Sequence, residues 1–219
     1  MIKLDRVTKY FNTTNGRKYL LKDVSIEIPD GNIGILGRNG AGKSTLMRML
    51  GGIEFPNSGK ILSEHSFSWP LGLGGGFVGN MSGRANVKFV CNLYGKSKKE
   101  TLDIIESVRD FAELGDYFEM PIKTYSSGMK GRLGFGLSLA FDFDYMIIDE
   151  TLSVGDAKFK KKAREALKKK IESCNVILVS HEMKTLKEMC HTGLLVHNGE
   201  LRFFDDIKDG IEVYKEINK

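Results

Sequence analysis

Gly37-Arg38-Asn39-Gly40-Ala41-Gly42-Lys43-Ser44-Thr45 follows the apolar stretch Ile33 to Leu36 and leads into a helix-like stretch from Thr45 to Leu50. It is a complete Gly-x-x-x-x-Gly-Lys-Ser phosphate-binding loop. Its glycines let the backbone turn tightly enough for successive N–H groups to converge on an anion at the positive end of the following helix. Lys43 adds a mobile cation for the β- and γ-phosphates of a nucleotide, and the Ser44 hydroxyl is the expected Mg²⁺ ligand. A strand before the loop and a helix after it are the context this motif needs, so the run decides both the fold class and the kind of ligand.

Composition agrees with one globular unit. The chain has 219 residues, 41% hydrophobic and 28% charged, enough for a proper core and typical of soluble proteins. No apolar run reaches the ~20 residues that span a bilayer, and the start, Met1-Ile2-Lys3-Leu4-Asp5, lacks a signal-peptide core. The expectation is a protein that stays in the cytoplasm. Cys91, Cys174 and Cys190 are odd in number and widely spaced, which suggests buried thiols rather than disulfides or zinc. The net charge of +5 is mild. Much of it lies between Lys158 and Ile171, where Phe159, Ala163, Ala166, Leu167 and Ile171 recur at helical spacing, so the lysines form the opposite face of a helix, read first as solvated, with contact to anionic lipid or nucleic acid as the alternative.

Along the chain, Ile2 to Thr8 and Tyr19 to Ile28 read as strands, then the short buried strand before the loop, then Lys60 to Leu62. Helical spacing marks Asn86 to Tyr94 and Lys98 to Phe118 as a small charged lobe ending at Pro121. A second half of the core follows: helix Gly128 to Phe141, strand Tyr145 to Ile148, helix Ala157 to Ile171, strand Val176 to Val179, helix Lys184 to Met189. Leu194 to Phe203 is a hairpin turned by Asn198-Gly199. Buried strands alternating with helices predict an α/β fold with a parallel sheet covered on both faces. Gly74, Gly76 and Gly79 satisfy a dinucleotide pattern, but Trp69-Pro70 stands where a buried parallel strand is required.

Three further clusters carry chemistry. Tyr145 to Glu150 is an apolar strand ending in two carboxylates, and the carboxyl ends of parallel strands are where sites form. Asp149 can hold Mg²⁺ and Glu150 can polarise a water for attack on a γ-phosphate. Tyr125-Ser126-Ser127-Gly128-Met129 opens a helix with two hydroxyls and free N–H groups, either a plain N-cap or a second anion cradle. One nucleotide needs only one cradle within a monomer, so the second suggests service to a neighbouring subunit's nucleotide. His181 follows the strand Val176 to Val179 and could hydrogen-bond phosphate oxygens or the attacking water, although taken alone such a histidine is more often structural.

In this order, from Ile2 to about Phe204, these pieces resemble the ATP-binding subunits of ABC transporters. The resemblance implies a P-loop NTPase (RecA-like) core with a parallel sheet, an N-terminal antiparallel β subdomain and a small helical subdomain inserted at approximately residues 80–140, in one ABC ATPase domain spanning 1–219. Gly37 to Thr45 is then Walker A, with Gly37, Asn39, Gly40, Ala41, Gly42, Lys43, Ser44 and Thr45 around ATP. Ser126, Ser127 and Gly128 are in the signature motif, Asp149 and Glu150 are Walker B and the catalytic glutamate, Asp156 is in the D-loop, and His181 is the switch histidine. Phe11 sits where the family stacks an aromatic on adenine, with Tyr10 as the fallback. Lys43, Glu150 and His181 are the catalytic set, ATP and Mg²⁺ the cofactors, and Ser44 with Asp149 the metal ligands.

The family works as an ATP-dependent head-to-tail dimer attached to membrane subunits, which accounts for the second cradle. Ser68 to Phe77, Thr124 to Met129 and Val154 to Ala157 look like the exporters of capsular and related bacterial polysaccharides. That implies a homodimer with a separate polytopic permease, at the cytoplasmic face of the bacterial inner membrane, acting on polysaccharide only indirectly. The residues from Trp69 to Phe89 would suit a groove for a permease helix. Few residues follow His181, so no added carbohydrate-binding domain is expected. A soluble ABC-type ATPase acting on nucleic acid or ribosomes is the alternative; the stretch between Thr45 and Ser126 is too short for the coiled-coil insertions common there, and no nucleic-acid partner is expected. A P-loop kinase or switch GTPase leaves the signature helix unexplained. The chain departs from the family at Val78, where a Q-loop glutamine is usual. Valine cannot reach metal or water, so either hydrolysis is slow until a partner acts, or a group such as Asn80 substitutes.

Overall fold

The computed structural model describes residues 1–14, 16–70, 77–149, 156–180 and 182–218. It divides into two compact units, one of Met1–Pro70, Phe143–Glu150 and Cys174–Lys219, the other of Leu71–Asp142 and Thr151–Ser173.

The first unit carries two sheets. β1 (Ile2–Thr13) lies between β2 (Gly16–Ile28) and β4 (Ser58–Ser63), antiparallel to both. Both long strands outrun their apolar alternation, because cross-strand pairing carries them on through polar residues to Thr13 and Gly16. The second sheet has the order β5 (Tyr145–Asp149), β6 (Asn175–Val179), β3 (Ile33–Leu36), β7 (Thr192–His197), β8 (Glu200–Phe204). β5, β6, β3 and β7 are parallel and β8 returns antiparallel, as the alternation of buried strands with helices requires.

The faces of β3 follow a period of two. Ile33 and Ile35 enter the main core with Leu46, Met47 and Leu50 of α1 (Lys43–Leu50) and with Ile2, Leu4 and Val7 of β1. Gly34 and Leu36 face the other way, onto α7 (Ile207–Ile217), and at Gly34 the Ile207 side chain approaches so closely that a Cβ would collide with it. α6 (Met183–Met189) covers the same face through Leu186. The C-terminal helix α7 is absent from the sequence reading, although Asp206 caps it and Ile207 and Ile211 are spaced to bury one face.

The second unit is helical: α2 (Gly83–Leu93), α3 (Lys98–Ala112), α4 (Ser127–Leu139) and α5 (Ala157–Lys170). A capping box of Ser97 and Glu100 starts α3. The expected continuation to Phe118 stops at Ala112, because Glu113 turns left-handed (φ 51°) and a 3-10 turn over Gly115–Glu119 follows. Phe111 holds the bundle together, stacked on Phe135 of α4 and edge-on to Phe159 of α5. The lysine-rich side of α5 is solvated at Lys158, Lys160, Lys161, Lys168 and Lys169.

Candidate functional site

β3 ends at Leu36 at the carboxyl edge of the parallel sheet, and the phosphate loop leaves from there into α1. Gly42 is the residue before α1, in the left-handed region at φ 106°, with no side-chain cap. The orphan N–H groups of the first helical turn therefore remain for an external anion. Leu20 of β2 packs against Gly42, where an added Cβ would come within 3.2 Å of it. The β subdomain thus braces the loop from its outer side.

Lys43 begins α1, and its ammonium donates to the carbonyls of Gly37 (2.7 Å) and Arg38 (3.2 Å). The loop's own backbone holds the cation where a phosphate could draw it off. Burial pushes the Lys43 pKa below its ordinary value, against the opposing pull of the Asp149 charge. One residue on, the Ser44 hydroxyl donates to Asp149 Oδ2 at 3.3 Å, and Asp149, last in β5, is only 3% exposed. A hydroxyl and a carboxylate presented together are the hard oxygen donors that suit Mg²⁺, so the residues fit that ion. Among the described residues no group of three or more His, Cys, Asp or Glu side chains could hold a metal by itself.

Gly37, Asn39, Gly40, Ala41, Gly42, Lys43, Ser44, Thr45, Asp149 and Phe11 all belong to the first unit. Phe11 is 43% exposed near the end of β1. Tyr10, by contrast, is covered by the Arg17 guanidinium 4.4 Å from its ring centroid and by the Tyr19 ring. The exposed ring is thus the better platform for a flat base.

Ser126, Ser127, Gly128 and Asp156 belong to the second unit. Ser126 caps α4, its hydroxyl accepting from the Met129 N–H at 3.2 Å, so the plain helix-cap geometry is present. Ser126, Gly128 and Met129 also line an open depression of about 390 Å³, with Tyr117 and Arg132 on its walls. Asp156 caps α5 through the Phe159 N–H (2.8 Å) and accepts from Arg132 at 3.2 Å. These contacts, the backbone N–H first and the Arg132 charge after it, hold its carboxyl below the usual range. Arg132 also lies over the Phe159 ring, 4.7 Å from its centroid. Arg132 was not anticipated from sequence; its only signal was a basic residue one and a half turns into the signature helix.

Glu150, His181 and the rest of the D-loop lie outside the described residues, as do residues 71–76 of the expected permease groove. At Val78 the backbone is held on both sides by the buried Asn86 amide, which accepts from its N–H (2.8 Å) and donates to its carbonyl (3.2 Å). The valine side chain is 42% exposed and Asn80 is also exposed.

Comparison with known proteins gives this geometry its context. The polysialic acid transport ATP-binding protein KpsT of Escherichia coli is 51% identical over 98% of this chain and 96% of its own length. ATP-binding protein BexA of Haemophilus influenzae is 42% identical over the full length of both chains, and the capsule polysaccharide export ATP-binding protein CtrD of Neisseria meningitidis is 40% identical over 99% of this chain and all of its own. In fold, the dimeric post-hydrolysis ATP-binding cassette MJ0796 bound to ADP and Pi superposes with a TM-score of 0.74 at 21% identity, covering 93% of this chain and 98% of that one. An ATP-binding subunit of an ABC transporter superposes with 0.77 at 20% identity over the whole of both chains. With the ABC transporter family profile matching residues 21–153 and these relatives matching end to end, the chain belongs to the ABC transporter family.

Proposed function

We propose that this chain hydrolyses ATP to power export of a capsular or related cell-surface polysaccharide through a separate membrane permease, working as a head-to-tail homodimer at the cytoplasmic face of the bacterial inner membrane. The observation that carries the ATPase reading is the meeting of Ser44 and Asp149, 3.3 Å apart, beside a glycine loop whose lysine rests on its own backbone. Full-length similarity to KpsT, BexA and CtrD supports the cargo class. No helix among the described residues is long and apolar enough to cross a membrane, which fits a peripheral subunit needing a permease.

In this reading the loop from Gly37 to Thr45 wraps the phosphates in N–H donors, and Lys43 leaves the Gly37 and Arg38 carbonyls to pair with the β- and γ-oxygens. Ser44 and Asp149 would hold Mg²⁺, which when bound supplies charge neutralisation along the triphosphate. Glu150 takes the role of polarising the attacking water, His181 that of bonding the γ-phosphate oxygens, and Phe11 that of stacking on adenine. Ser126, Ser127, Gly128 and Asp156 would face the nucleotide of the partner subunit. The polymer touches the permease and not this subunit.

Genetics and binding test the two halves separately. Deleting the gene should leave polymer inside the cell and strip it from the surface, and Glu150→Gln, which keeps shape but loses the carboxylate, should fail to restore export while still binding ATP. Purified subunit should show no saturable binding of the polymer. Normal surface polysaccharide in the deletion strain, with no second copy of the gene, would overturn the cargo class and leave the ATPase intact.

A further inference from the structure

Three elements meet at one carboxylate beside the phosphate loop. Lys9, on β1 two residues before Phe11, is 8% exposed, and its ammonium lies 2.9 Å from Glu54 Oε1 while donating to the Phe55 carbonyl at 2.7 Å. The other oxygen, Glu54 Oε2, accepts from Arg48 Nε at 2.9 Å. Arg48 stands on α1 and passes a second hydrogen bond, 3.0 Å, to the Thr45 hydroxyl at the end of the phosphate loop. Glu54 is itself fixed to α1, since its N–H and that of Ile53 both bond the Arg48 carbonyl. The chain after it is zipped to β1: Asn57 donates its N–H to the Thr8 carbonyl and accepts from the Tyr10 N–H. The same Lys9 ammonium sits 5.4 Å from the centroid of the Phe11 ring. Short polar contacts therefore run from Lys9 through Glu54 and Arg48 to Thr45, and the cation–ring approach of Lys9 adds the exposed Phe11 at their far end.

Burial alone would raise the Glu54 pKa, yet the hydrogen bonds from Arg48 and Lys9 outweigh it and hold the carboxyl below its ordinary value. A partly buried ion cluster is a poor way to gain stability, because desolvation consumes most of the Coulomb attraction and apolar packing does as well. What a two-oxygen carboxylate does better than apolar packing is hold two cations from different elements at a set separation.

We propose that Glu54 is a positioning residue that sets the spacing between the Phe11 platform and the phosphate loop, so that base and triphosphate are bound together. It bonds Lys9 on the Phe11 side and Arg48 on the loop side, and touches neither the base nor the phosphates. This deepens the nucleotide-site reading above and rests on it.

The test compares ATP with inorganic tripolyphosphate, which has the phosphates without the base, by titration calorimetry in Mg²⁺ on the full chain. Glu54→Gln keeps the shape and removes the charge that joins the two arms. ATP affinity should fall about five- to tenfold while that for tripolyphosphate stays within about twofold, the size expected for coupling between contacting groups. In a Phe11→Ala background, Glu54→Gln should cost ATP nothing further. Lys9→Met, which leaves Glu54 paired with Arg48, should repeat this pattern and decides the matter if Glu54→Gln does not fold. Equal losses for both ligands would overturn the proposal, reducing Glu54 to a support for the loop; so would no loss, or losses that simply multiply with Phe11→Ala. Wild-type ATP binding by Lys43→Ala would instead defeat the nucleotide-site reading itself.

Discussion

Replacing Gly37 by alanine separates backbone strain from steric collision in the phosphate loop. Gly37 has φ 152°, a region where an L side chain costs about 1–3 kcal/mol. Its new methyl would also stand 2.8 Å from the Val196 carbonyl oxygen. That oxygen belongs to β7, which is paired directly with β3 through Leu36 and Leu195, so it cannot retreat without dragging the sheet. Relief of such overpacking costs a further ~1–3 kcal/mol. Gly40 is the internal control: φ is 78°, yet a Cβ there meets nothing within 4 Å, leaving only a left-handed penalty of about 1 kcal/mol. In a chain of this size each kcal/mol moves the midpoint roughly 2–4 °C. Thermal unfolding followed by circular dichroism should therefore place Gly37→Ala on the order of 10 °C below wild type and Gly40→Ala only about 2–4 °C below it. Equal midpoints for the two variants would refute the reasoning, because they would mean the Val196 carbonyl offers no resistance.

Lys43→Ala removes the cation now resting on Gly37 and Arg38, and should abolish hydrolysis and largely abolish ATP binding in a protein of wild-type fold; near-normal ATPase activity would contradict it. Val78→Gln should raise basal ATP turnover or change its dependence on membrane partners, and unchanged rates in both respects would mean another residue already supplies the polar contact. Cys91 is fully buried and burial pushes the Cys190 thiol up to about 12, so both should resist a thiol reagent at pH 8 until the protein unfolds. Rapid native labelling of either, located by peptide mapping, would count against this packing. Asp144 accepts from the Ser66 N–H and hydroxyl, which hold its carboxyl below the usual range. Its folded pKa being depressed, the stabilisation is present above the ordinary value of about 3.9 and is lost as pH falls through the lower folded value. The difference in urea midpoint between wild type and Asp144→Asn should shrink below about pH 4, and a pH-independent difference would refute this.

Short-range signals were enough for the nucleotide loop, the parallel strands and the Asn198-Gly199 hairpin, since each depends on local backbone chemistry or on the period of buried residues. The reading failed where a neighbour decided the outcome. Periodicity could not see that Glu113 would turn left-handed and end α3, nor that pairing would carry β1 and β2 on to Thr13 and Gly16. It also passed over α7, whose Ile207 and Ile211 acquire meaning only against Gly34 and Leu36 of β3.

By itself the sequence determined that this protein is an α/β phosphate-loop NTPase, because a Gly-x-x-x-x-Gly-Lys-Ser run between strand and helix is contiguous in the chain, and the order of the later motifs, from Ser126-Ser127-Gly128 to Asp149-Glu150 and His181, carried the resemblance to ABC ATPases. It also nominated Asp149, as the acid closing a buried strand. Only the tertiary structure decided which distant groups meet. Ser44 reaches Asp149 across 105 positions of sequence, because β3 leads into α1 two strands from β5 in one sheet, and Lys9 meets Glu54 across 45, because the chain after Glu54 is hydrogen-bonded to β1. It also decided that Phe11 is exposed while Tyr10 lies under Arg17, a choice the residue types alone leave open. Contacts of this kind depend on register and on the direction a side chain leaves its strand, and neither is written in the spacing of residues along the chain.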